Sequence, residues 1–116
     1  MEHRWGHRRE IDKGVRLKLC DGRTGFGRLR NLSVTGAWIT TDLPGRPLSV
    51  VEVGFTRAYE NRRVLAHESG MIVRIAWHGL AVEWFEFAPA GVLALLALPH
   101  PRQVTGRAVV PSNLTR

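Results

Sequence analysis

Between Val15 and Phe85 no pattern lasts long: short runs of alternating apolar and polar residues are broken repeatedly by Gly, Pro, Asn and Asp. This punctuation constrains the fold more than any other feature. Val15-Arg16-Leu17-Lys18-Leu19 puts three apolar side chains on one side and two cations on the other, the period of a half-buried strand. Asp21-Gly22 marks a turn. Phe26 to Leu32 follows as a second strand, with Gly27 as a weak point or bulge. Turn-forming residues interrupt at 31–36, and Gly36 to Thr41 resumes as a third strand. Pro44-Gly45-Arg46-Pro47 is a strong break. Ser49 to Thr56 is rich in β-branched residues, and the polar stretch Arg57 to Arg63 reads as a loop. Val64 to Trp77 alternates again, His78-Gly79 turns the chain, and Leu80 to Phe85 makes the last strand. Six short, evenly punctuated strands predict a small antiparallel barrel, because closure removes the exposed edges that an open sheet presents.

The pattern changes after Phe85. Pro89 suits the first position of a helix. Val92, Leu93, Leu95, Leu96 and Leu98 then recur at helical spacing, which predicts a short, mostly buried helix plugging or leaning on one end of the barrel. Pro99 and Pro101 end it. The expected organisation is a flexible arm over residues 1–14, rich in Arg and His and closed by Gly14; a barrel with its helix over 15–98; and a disordered tail over 99–116.

The formal net charge is +7, and its excess lies at the ends: residues 1–30 hold nine Lys or Arg against four acids. Such a chain favours anionic partners without choosing among them. Cys20 is the single cysteine, so no internal disulfide and no CxxC zinc spacing exists. It falls out of phase with Leu17 and Leu19 and reads as an inert thiol. The N-terminus has no apolar stretch of a signal peptide. The longest apolar run, Ala88 to Leu98, is too short to span a bilayer. A cytoplasmic protein without membrane insertion is the expectation.

Catalytic patterns are missing from the sequence. His67-Glu68 lacks the rest of HExxH, Ser33 has no GxSxG elbow, and no Gly-rich phosphate loop ending in Lys follows a strand. His3 and His7 sit among arginines that repel a metal cation. Glu83 and Glu86 read as surface acids. The sequence therefore points to a binding module with no catalytic residue, no metal and no cofactor.

Two constellations remain. Arg4-x-x-x-Arg8, with Arg9 beside it, offers guanidinium groups that pair bidentately with phosphate or guanine and stack on a base. Asn31-x-Ser33-x-x-Gly36 offers two short polar side chains pointing the same way along an extended segment. Gly36 permits a sharp turn and close approach of a flat ligand. Together, with Asn31 lying 23 positions after Arg8, they resemble the signature of the PilZ family of cyclic di-GMP receptors, RxxxR followed by (D/N)xSxxG. Gly70 to Ile75 and Gly79 to Phe85 also resemble that family's two closing strands.

The resemblance covers roughly residues 3–98. It implies an all-β, six-stranded antiparallel barrel with a C-terminal α-helix, in accord with the strand reading. It further implies that Arg4 and Arg8 clamp cyclic di-GMP, with Arg9 as helper, while Asn31, Ser33 and Gly36 cradle a guanine. Trp5, Trp38, Trp77 and Trp84 read as core or rim residues, Trp38, two residues after Gly36, being the one with a second reading as a neighbour of such a ligand. Ligand binding would reorganise the arm and signal to a downstream protein. Two alternatives stand beside this one: a ligand-free adaptor of the same fold acting through protein contacts, and a basic barrel binding nucleic acid. The single Tyr gives the latter little stacking surface.

Overall fold

The computed structural model describes residues 8–97. They form six strands and one helix: β1 (Arg9–Leu19), β2 (Thr24–Leu32), β3 (Gly36–Thr41), β4 (Val50–Tyr59), β5 (Arg62–Ala76), β6 (Gly79–Trp84) and α1 (Ala90–Leu96). All neighbouring strands are antiparallel, and the sheet closes on itself in the order β1-β2-β3-β6-β5-β4. The fold class expected from the strand pattern is the one observed.

The alternation works as anticipated. Val15, Leu17 and Leu19 point inward while Arg16 and Lys18 face out. Leu29 and Leu32 of β2, Ile39 of β3, Val51 and Val53 of β4, Ile72 of β5 and Leu80 and Val82 of β6 complete a continuous core. Each such side chain contributes about 1.5–3 kcal/mol by leaving water. α1 turns Val92 and Leu95 into the same core. Pro89 caps the helix without a side-chain bond, and the Glu68 carboxylate instead accepts the Gly91 N–H at 2.6 Å. Among the described residues no helix is long and apolar enough to cross a membrane.

Three elements differ from the sequence reading. β1 starts at Arg9, so residues 9–14, expected in the arm, are barrel wall. The stretch Arg57 to Arg63 is not a loop. β4 runs to Tyr59 and β5 starts at Arg62, joined by the two residues Glu60 and Asn61, both at positive φ (48° and 67°). Left-handed conformation at both central positions is the type I′ geometry that matches strand twist. Gly27 is not a bulge; the break in β2 register lies between Leu29 and Asn31. Cys20 is exposed at the end of β1. Residues 98–116 of the expected helix end and tail lie outside the described residues.

Candidate functional site

The turn from β2 to β3 is built by Ser33. Its hydroxyl is buried, accepts the N–H groups of Thr35 (3.3 Å) and Gly36 (3.2 Å), and lies 3.1 Å from the Thr35 hydroxyl. This is a local side-chain turn of the kind serine favours. β6 secures it from the other side: Trp84 donates its indole N–H to the Ser33 carbonyl (3.3 Å) and its main-chain N–H to the Thr35 carbonyl (2.9 Å). Buried polar groups held this fully give the turn one conformation.

The reason for glycine at position 36 differs from the expectation. Gly36 does not adopt positive φ among the described residues. It pairs with Glu83 of β6 so closely that an added Cβ would sit 2.3 Å from the Val82 carbonyl oxygen. The glycine is a packing requirement between β3 and β6 more than a hinge.

Beside this turn, cross-strand pairing lays four residues in a row on the outer wall: Asn31 (β2), Trp38 (β3), Ala81 (β6) and Arg74 (β5). The Arg74 guanidinium lies over the Trp38 ring, 5.5 Å from its centroid. Ala81 between them is small and leaves a shallow floor. Gly79 underlies the indole, its would-be Cβ only 2.4 Å from the ring. Register breaks on either flank, between Leu29 and Asn31 and between Ile72 and Arg74, re-aim the outer side chains as bulges do. The row borders a cavity of about 390 Å³ that Arg8, Gly36 and Glu83 also line. That is at the small end of ligand pockets, about 300–1,000 Å³.

The structure therefore brings Arg8, Asn31 and Gly36 together around one cavity. Ser33 stands behind it as the builder of the turn and does not line it. Arg9 turns away: its guanidinium donates to the Leu96 carbonyl at the end of α1, a favourable place for a cation. Arg4, like His3, His7 and Trp5, lies outside the described residues. Sequence reasoning missed Arg74 and Glu83. They sit some forty residues beyond the motif in sequence and join it only through β-pairing, which no local pattern signals. Trp38, singled out by its nearness to Gly36, does line the cavity.

In chemical terms the wall presents two cations (Arg8 and Arg74), one stacking surface (Trp38), one amide (Asn31) and one exposed carboxylate (Glu83). This set can meet an anion, a planar ring and a donor-bearing ring edge at once.

A closed six-stranded barrel with one C-terminal helix is a fold with a solved counterpart. The crystal structure of the PilZ domain of CeSA, from a cellulose-synthesizing bacterium, superposes with a TM-score of 0.61 at 17% identity, covering 86% of this chain and 96% of that one. The chain has the PilZ-domain fold. No family model matches the sequence, and no curated protein matches it either.

Proposed function

We propose that the chain is a cyclic di-GMP receptor and not an enzyme, with the ligand seated on the outer wall at β3–β6. The observation that carries this reading is the convergence of Arg8, Asn31, Gly36, Trp38 and Arg74 on one cavity beside a turn that Ser33 and Trp84 hold fixed. Each part of the ligand finds a complement. A guanine ring stacks on Trp38, as bases do on exposed aromatics. Asn31 and the Glu83 carboxylate face the ring edge, the latter accepting from guanine N–H groups. Arg8 and Arg74 pair with the phosphates. The cavity takes one guanosine end of the dinucleotide, and the other end extends beyond it across the barrel surface. In this reading Ser33 and Arg9 act by positioning: Ser33 shapes the turn, and Arg9 ties the base of the arm to α1. Signalling to a downstream protein follows if the ligand favours one placement of the arm over another.

The test is calorimetric titration of the full chain with cyclic di-GMP, with GTP as control. Saturable binding is expected, weakened about tenfold to hundredfold by Arg8→Ala, the consequence of losing a charged hydrogen bond worth about 1.5–3 kcal/mol. No heat at high ligand concentration would sink the receptor reading and leave the ligand-free adaptor.

A further inference from the structure

The stacking surface on the β3–β6 wall is covered in the free protein. The Trp38 indole is half-buried and leans across the Gly79 main chain. The Arg74 guanidinium lies over the ring, 5.5 Å from its centroid. Trp38 and Arg74 stand on strands that β6 separates, and Ala81 is the residue between them in the row. A larger side chain at 81 would stand between guanidinium and ring. The register break between Ile72 and Arg74 aims Arg74 outward, where it is exposed.

The contact with Trp38 is what holds Arg74 in place. Among the described residues its side chain has no hydrogen bond and no ion pair, although Glu83 lines the same cavity. A cation over an exposed ring shifts a population only about two- to fivefold. The guanidinium is therefore lightly tethered, yet it blocks the ring. A base in van der Waals contact with the indole lies about 3.5–4.0 Å above it, and a guanidinium stacked over that base needs the same distance again, about 7–8 Å in all. At 5.5 Å no base fits between them. A purine stacks on Trp38 only after Arg74 has left.

We propose that Arg74 is a gate on the Trp38 ring, and that it selects ligands in which a purine and a phosphate are joined. The proposal rests on the reading of this wall as a cyclic di-GMP site. In the free chain Arg74 covers the ring. In the complex it pairs with a phosphate, a charged and bidentate partner, and the ring opens to the base. The covered state lowers the apparent affinity of every stacking ligand by the fraction of time the ring is bare. A ligand that carries a phosphate recovers that loss, because the same side chain that leaves the ring gains a partner. A nucleoside or free base displaces Arg74 and gives it nothing in return. Inorganic phosphate draws Arg74 away and leaves the indole face to water.

The experiment is an NMR titration of the isotopically labelled full chain and of Arg74→Ala, a change at an exposed position that spares the core. The probes are cyclic di-GMP and caffeine, a neutral purine without a phosphate. Trp38→Phe assigns the Trp38 indole N–H, and Arg74→Ala assigns the Arg74 Nε–H. In the free chain the ring current of the indole should displace the Arg74 Nε–H signal, and cyclic di-GMP should remove that displacement as it saturates. Arg74→Ala should bind caffeine about two- to fivefold more tightly. It should bind cyclic di-GMP about tenfold or more weakly. Damage to the wall would weaken both probes together, so the opposite signs are the mark of a gate. Arg46→Ala removes the same charge outside this cavity and should change neither affinity. An Arg74 signal that stays displaced in the saturated complex, or two affinities that move in the same direction, would overturn the gate and leave the receptor reading standing. If no signal responds to cyclic di-GMP at high concentration, the receptor reading fails and the gate fails with it.

Discussion

The barrel closes twice in quite different ways. At β3–β6 two strands of six residues each share five pairs, from Gly36 with Glu83 to Thr40 with Gly79. At β1–β4 two much longer strands share four. Where five of six residues on each strand are paired and glycines let the chains approach, the outer side chains stand in a fixed row, and that is where Asn31, Trp38 and Arg74 converge. Where pairing stops early, β1 and β4 part while Val15 and Phe55 stay buried, and the Lys13 and Arg63 charges face each other. One closure is a platform for the candidate site; the other is joined over less than half the length of either strand. The lesson is that strand length does not measure how firmly a barrel is sealed.

Substitutions can break or sharpen this contrast. The largest effect is expected from Gly36→Ala, which drives a Cβ into the Val82 carbonyl oxygen. Backbone on both sides cannot yield easily, so a loss of about 3 kcal/mol is expected in chemical denaturation. A loss below about 0.5 kcal/mol, the level of an ordinary surface change, would mean that the β3–β6 wall is not tight. Gly79→Ala should come next, at about 1–2 kcal/mol, because the nearest atoms are those of the Trp38 ring, which can shift. Tryptophan emission should change with it, and under the proposed receptor function cyclic di-GMP affinity should fall further than stability alone accounts for.

At the β1–β4 closure the signs differ. Lys13→Met removes one of two converging cations while keeping the aliphatic length, and should raise the thermal midpoint slightly. The pH dependence follows from the direction of the shift. The folded-state pKa of Lys13 lies below its ordinary 10.5, so the folded chain binds protons less readily than the unfolded one. The cost of the charge is complete below the folded pKa and is relieved as pH rises through it toward the unfolded value. The advantage of Lys13→Met should therefore be greatest near neutral pH and shrink in alkali. The smallest effect is expected from Gly14→Ala. Its Cβ would meet only the tip of Arg28, at 3.6 Å, so stability within about 0.5 kcal/mol of the parent is expected. A large loss there would show the β1–β4 closure to be tighter than its pairing suggests.

Much of this was legible in the sequence where alternation was clean. β2, β3, β6 and α1 lie close to their expected positions because their inward residues are consistently apolar. Arg9 to Lys13 carries one apolar residue, Ile11, which packs against the core while its neighbours face out, so the first half of β1 gave no period to read. The β4–β5 ribbon was hidden for another reason. Its tight turn uses Glu60-Asn61 where hairpin chemistry favours Asn-Gly, so the polar run Arg57 to Arg63 resembled a loop. Around the candidate cavity, Arg8, Asn31 and Gly36 could be picked out because they lie in two short motifs. Arg74 and Glu83 were not, since only the register of β5 and β6 against β3 brings them there. Ser33 was recognised with the right neighbours, but its hydroxyl faces the turn it builds.

The bond from Arg9 to the Leu96 carbonyl has one more consequence. It places the start of the first strand within one side chain's reach of the end of the last helix. In design terms the barrel is nearly a circle. A short linker from residue 97 back to residue 8, with the chain reopened at the exposed Glu60–Asn61 tip, would give a permuted protein that keeps every strand pair and moves its ends to the far pole.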